Sequence, residues 1–90
     1  MSVTFWELYW ERPAAVVEYA ARRAGSYEVG SIRILLSMML LGSSGWVREV
    51  IRSLLSDEER LASIIEDLST GLKPREELVE EVGRLIGRLA

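Results

Sequence analysis

The side chains that ordinarily carry chemistry are scarce in this sequence. It has no histidine, cysteine, asparagine or glutamine, so the usual general base, thiolate nucleophile and soft metal ligand are all missing. Four carboxylates do stand close together, at Glu76, Glu77, Glu80 and Glu81. A cluster of this kind can hold a hard cation. Here, however, it shares a helix with an opposite apolar stripe of Leu78, Val82, Leu85 and Leu89. Glu80 also stands four residues before Arg84, and Arg84 four before Arg88, as on a solvated helix face. The stretch Gly42-Ser43-Ser44-Gly45 has no strand before it, so it is no phosphate loop. Free N–H groups there could hold an anion at a helix start, but a turn between helices accounts for it. No catalytic residue, cofactor or metal is expected, and the chain reads as a non-enzyme.

The aromatic side chains offer recognition rather than catalysis. Phe5, Trp6, Tyr9 and Trp10 fall at i, i+1, i+4 and i+5, hence on one face of a short helix. Such a face either pins a terminal helix onto its own domain or docks a partner. As a stacking platform for single-stranded nucleic acid it lacks cations, because Glu7 and Glu11 outnumber Arg12.

The elements that position these groups are helices. Thr4 with Glu7 forms a capping box, with Val3 and Leu8 as a hydrophobic staple, which predicts a first helix over 5–11. Pro13 suits the first position of a second, over 13–24, carrying a Glu18/Arg22 pair and ending at Gly25. A third spans about 27–41 and stops at Gly42. A fourth runs over 45–55, capped by Ser43 or Ser44. Ser56 with Glu59 predicts a capping box for a fifth, which stops at Gly71. Pro74 opens a sixth that continues to the C-terminus. Nothing alternates with period two for long enough to make a strand. The expected fold is all-α, a single compact domain over 1–90 built from about six short helices.

Composition narrows the setting. Apolar residues make up 49% of the 90 and charged residues 28%, a globular balance. The net charge of −3 gives no general attraction to phosphates or anionic lipid. The longest uncharged stretch, residues 34 to 47, would reach about 21 Å as a helix, against about 30 Å of hydrocarbon. A transmembrane role is therefore not expected. The N-terminal sequence lacks the basic start and apolar run of a signal peptide, so a cytoplasmic location is expected. Absence of the heat-labile amides and thiols suits a thermophilic source, although the arginine excess, with Lys73 the lone lysine, fits a GC-rich genome equally.

Residues 31 to 74, from the run ILLSMMLL through Gly42, Val47-Arg48-Glu49-Val50, Ile64 and Leu68 to Gly71-Leu72, resemble the tri-helical core of winged-helix DNA-binding domains. The resemblance implies that the third helix of the unit would enter the major groove. That role would fall on Asp57, Glu58, Glu59 and Arg60. Residues 57 to 67 carry Asp57, Glu58, Glu59, Glu66 and Asp67 against Arg60 alone, whereas phosphate binding depends on basic groups. A helix also stands where the wing would be. A DNA-associated transcriptional regulator on a degenerate winged-helix core is thus the alternative reading, and nucleic acid is not the partner these residues suit.

The principal expectation is a protein–protein interaction or assembly module, a homo-oligomer or a small subunit of a larger complex. ILLSMMLL, the aromatic face, Ala14-Ala15-Val16-Val17 and the C-terminal stripe hold more apolar surface than a thin domain hides. Within ILLSMMLL, burial is expected at Leu35, Leu36, Met39 and Leu40, with Arg33 at the rim. The candidate interface comprises Phe5, Trp6, Tyr9 and Trp10, together with Val79, Gly83, Ile86 and Gly87. In the latter group two glycines four apart either let a neighbouring helix of the same chain pack closely or form a ridge that receives a helix from a second copy.

Overall fold

The computed structural model describes residues 3 to 87, about four fifths of them in helices. A π-helical segment, Glu7–Glu11, leads directly into α1, Arg12–Ala24. There follow α2, Val29–Gly42, α3, Gly45–Leu55, α4, Glu58–Ser69, and α5, Glu76–Leu85. The only β structure among the described residues is an isolated antiparallel bridge between Ser43 and Ile86.

The all-α expectation holds, with five α-helices rather than six. The predicted break at Pro13 is absent, because Glu11 and Arg12 keep helical backbone angles through it. A proline inside a helix removes one i→i−4 hydrogen bond and crowds the carbonyl four residues back. The chain widens one turn to π geometry just before it, where the Arg12 N–H reaches Glu7 O. The carbonyl that Pro13 cannot serve, Tyr9 O, accepts instead from the Arg60 guanidinium at 2.7 Å. The defect is thereby repaired from another helix.

α1 is the hub. Ala14, Ala15, Val16, Val17, Ala20 and Ala21 are buried on nearly all its sides, the pattern of a core helix rather than a surface one. Small side chains let the other four helices pack against it. It ends where Gly25 takes a left-handed φ of 76°, so that the N–H groups of Gly25 and Ser26 both reach Ala21 O, a glycine stop. The surrounding helices contribute Ile32, Leu36 and Met39 from α2, Val47, Ile51 and Leu54 from α3, Leu61, Ile64, Ile65 and Leu68 from α4, and Leu78, Val79 and Val82 from α5.

Three further boundaries differ from expectation. Ser56 does not cap α4; its hydroxyl donates to Ser53 O in the last turn of α3. Asp57 is the cap, its carboxylate accepting from the Arg60 N–H at 3.1 Å. Pro74 precedes α5 by two residues and is buried, and Arg75 takes the N-cap position with an extended backbone. α5 itself stops at Leu85, because Ile86 turns extended to pair with Ser43 and the Gly87 N–H donates to Gly42 O at 2.8 Å. Leu89 and Arg88 lie outside the described residues.

Candidate interaction surfaces

The glycine ridge expected on the last helix does not form. Gly87 lies beyond the helix end and meets Gly42 backbone to backbone, while Gly83 sits under the Tyr19 ring of α1, where an added Cβ would be 3.2 Å from the ring edge. Gly83 therefore serves close packing within the chain. Val79 and Ile86 face inward and are buried in the same core. The four glutamates nearby do not converge either: Glu76 is held by Arg22 and Glu81 accepts from the Trp46 indole N–H at 2.8 Å. Nor is the Gly42–Gly45 turn an open anion cradle, because both the N–H and the hydroxyl of Ser44 donate to Leu85 O.

The aromatic face divides. Trp10 is buried, and its indole N–H donates to Asp67 of α4 at 3.1 Å, which pins the N-terminal segment to the domain. Trp6 stacks on Trp10 and Phe5 on Tyr9, each at 5.3 Å between centroids. Phe5, Trp6, Leu8 and Tyr9 nevertheless point outward, Phe5 at 78% exposure. Residues i and i+4 share a face; the Trp6/Trp10 pair lies on the side where its second member reaches the core, while the Phe5/Tyr9 pair, one position back, stays in water at both members. Thr4 caps the segment as expected, accepting from the Glu7 N–H at 3.1 Å. The Glu7 carboxylate does not complete the box; it pairs with Arg12 and Arg75.

Arg60 fills the angle between this segment and α3 and α4. It lies over the Tyr9 ring at 5.3 Å and donates to both Tyr9 O and Ser53 Oγ. On one side of it opens a notch of about 180 Å³ lined by Leu8, Pro13, Glu49, Val50 and Ser53. On the other lies a shallow recess bordered by Tyr9, Asp57, Glu59 and Ser63. Sequence reading picked out the aromatics here as a surface, but read Leu8 as a staple and Val50 and Arg60 only through the winged-helix resemblance; the tertiary fold brings these three together.

A second apolar surface lies on α2. Leu36 and Met39 are buried as expected, along with Ile32, whereas Leu35 and Leu40 are half-buried. Arg33 reaches the rim and pairs with Glu58 at 2.6 Å. The other half of ILLSMMLL faces away from the domain, with Ile34, Met38 and Leu41 exposed, Leu41 at 88%. Their i, i+4, i+7 spacing draws one stripe along the helix. Ser37, beside it, donates its hydroxyl back to Arg33 O at 3.0 Å, so the stripe presents no unmet donor there. Within the run only Ser37 marks this face as outward, because the apolar residues occupy both faces.

Charge is concentrated elsewhere, where α1 meets the segment leading into α5. Glu18 is buried, accepting from Tyr27 Oη at 2.7 Å and Arg22 Nε at 2.9 Å, with Lys73 at 3.5 Å. Burial pushes its carboxyl up, but those hydrogen bonds and the two cations outweigh it and hold the group below its ordinary range. Arg22 continues to Glu76 as a bidentate pair, which lowers the Glu76 carboxyl. Lys73 also donates to Tyr27 Oη and Leu68 O, and the Tyr27 contact is the main reason its ammonium is raised. Among the described residues no buried side-chain nitrogen or oxygen lacks a hydrogen-bond partner. No helix among them is long and apolar enough to cross a membrane. No protein-family model, curated protein or solved structure matches this chain.

Proposed function

We propose that this protein is a non-catalytic assembly module that associates with a second copy of itself through α2. The observation that carries the reading is the exposed stripe of Ile34, Met38 and Leu41 on an otherwise well-packed helix. Large apolar side chains in a contiguous row on a small domain mark an interaction surface.

Charge favours a second copy as the occupant. α2 carries a single ionised residue, Arg33, already engaged by Glu58. A two-fold contact sets one patch against its own copy, so any net charge on the patch would meet itself. This stripe has none, and two copies can be laid antiparallel with no like charges opposed.

Light scattering and sedimentation over a concentration series test the reading. The wild-type protein is expected to show a dimer mass, and the Met38→Glu/Leu41→Glu double variant a monomer mass with an unchanged helical spectrum. A wild-type protein that stays monomeric at high concentration, or a double variant that keeps the dimer mass, overturns it.

A further inference from the structure

The second exposed surface differs from α2 in one respect, its charge. The notch under Leu8 and Val50 and the recess beside Tyr9 adjoin across Arg60, which lines both, and together they make a bipartite groove. Apolar matter lines its floor: Leu8, Pro13, Val50 and the Tyr9 ring. Its rim is acidic. Glu49 stands on the α3 side, with Asp57 and Glu59 on the α4 side, all exposed. Arg60 is the one cation among the lining residues, and it is drawn down onto Tyr9 and Ser53. Glu49 has only a loose contact with Arg52, at 3.8 Å. The Asp57 carboxylate caps α4 through a backbone N–H, which leaves its charge uncancelled.

A groove with an apolar floor and acidic walls selects its occupant by both properties. A second copy of this chain, net −3, has no general charge attraction to it. Anionic lipid and nucleic acid meet three carboxylates. A cationic amphipathic helix matches both features, since its apolar ridge can lie in the groove while its basic flanks reach the rim. We propose that this groove receives a basic amphipathic helix from another protein. One aliphatic side chain would enter the Leu8–Val50 notch, and lysines or arginines would lie over Glu49 and Glu59. The aromatics stacked alongside, Phe5 on Tyr9 and Trp6 on Trp10, supply rigid contact area that loses little freedom on binding. The groove shares no lining residue with the α2 stripe, and the proposal stands whether or not the protein self-associates.

The probe is a synthetic amphipathic helical peptide with leucine along one face and lysine along the other, set against its counterpart with glutamate in place of lysine. Binding to the full-length protein is followed by calorimetry. The lysine peptide is expected to bind at least about tenfold more tightly than the glutamate peptide, a difference of about 1.4 kcal/mol, and to weaken as salt is raised. Glu49→Lys/Glu59→Lys, two exposed changes outside the core, should reverse the preference; because Glu59 lies in the first turn of α4 the melting temperature should fall slightly while the helical spectrum is kept. Leu8→Ser should weaken the lysine peptide as well. The α2 variant Met38→Glu/Leu41→Glu should leave peptide binding unchanged, which separates this proposal from self-association. Equal binding of the two peptides, or lysine-peptide binding indifferent to Glu49→Lys/Glu59→Lys, overturns the proposal. So does tighter binding to phosphatidylglycerol vesicles than to the peptide, which would make the groove a membrane-surface site.

Discussion

α1 and α2 lie against each other and treat polarity in opposite ways. α1 takes a carboxylate inside, Glu18 at 4% exposure, while α2 leaves a leucine outside, Leu41 at 88%. A buried charge ordinarily costs more than burial returns. The cost is offset here because Tyr27, Arg22 and Lys73 all converge on one carboxylate. α2 has the reverse problem. It packs on α1, α3 and α4 along one side, and among the described residues no element covers the other. The difference teaches that position in the fold, not the polarity of the segment, decides what is buried. A central helix has neighbours enough to satisfy even an ion, and a peripheral one has too few to hide its grease.

The sharpest way to break this comparison is to remove the buried ion. Glu18→Ala takes the acceptor from Tyr27 and one partner from Arg22 and Lys73, both half-exposed, and should cost about 1.5–3 kcal/mol in urea unfolding, the range for hydrogen bonds to a charged group. A loss below about 1 kcal/mol would mean that the cluster merely decorates the helix junction. The same network predicts acid sensitivity. Glu18 and Glu76 are both lowered in the folded state, so their contribution is complete above the unfolded carboxylate value of about 4.3. It disappears as pH falls through the folded values. Melting temperature should therefore drop in that acid window, and Glu18→Gln should make the drop shallower.

The next test lies within α2. Leu36→Ala, fully buried, should cost about 2–5 kcal/mol, while Leu41→Ala in dilute solution should stay within about 0.5 kcal/mol. Equal effects would place both leucines in the same environment and remove the exposed stripe. The smallest effect concerns neighbouring residues at the start of α4. Asp57→Ala should cost about 0.5–2 kcal/mol through the lost cap. Ser56→Ala, whose hydroxyl only turns back onto Ser53 O, should cost a few tenths at most. Thermal melts of the two variants side by side rank them directly.

Much of the helical order was legible in the sequence because glycine punctuates it. The α1 stop at Gly25 and the bounds of α3, Gly45–Leu55, fall where the residues indicated. Errors arose where two residues could serve the same role or where a distant group intervened. Ser56 and Asp57 are both competent caps, and the last turn of α3 claims the serine. The C-terminal helix is cut short by Ser43, far away in sequence, which no local pattern announces. Pro13 has the right chemistry to start a helix, yet Arg60 and a wider turn let one pass through it. Of the aromatic face, the sequence placed four residues together but could not tell Trp10, which finds Asp67, from Trp6, which does not. In ILLSMMLL the apolar residues circle the helix, and the one polar residue in the run, Ser37, together with Arg33 before it, was the only sign that the face of Ile34, Met38 and Leu41 turns outward.

The repair at Pro13 has a consequence for the order of assembly. A peptide covering residues 3 to 25 alone carries a helix with a gap at Tyr9 O, and the group that fills it comes from 51 residues further along the chain. Helix growth from α1 toward the N-terminus should therefore slow at Pro13 until α4 has docked, because before then only water serves Tyr9 O, and Trp10 lacks its partner Asp67. The N-terminal segment would be the last to join and the first to leave. Amide exchange should resolve the continuous helix into two kinetic populations, slow along 16–21 and fast at 7–11. Arg60→Ala should accelerate the fast set and leave the slow one unmoved.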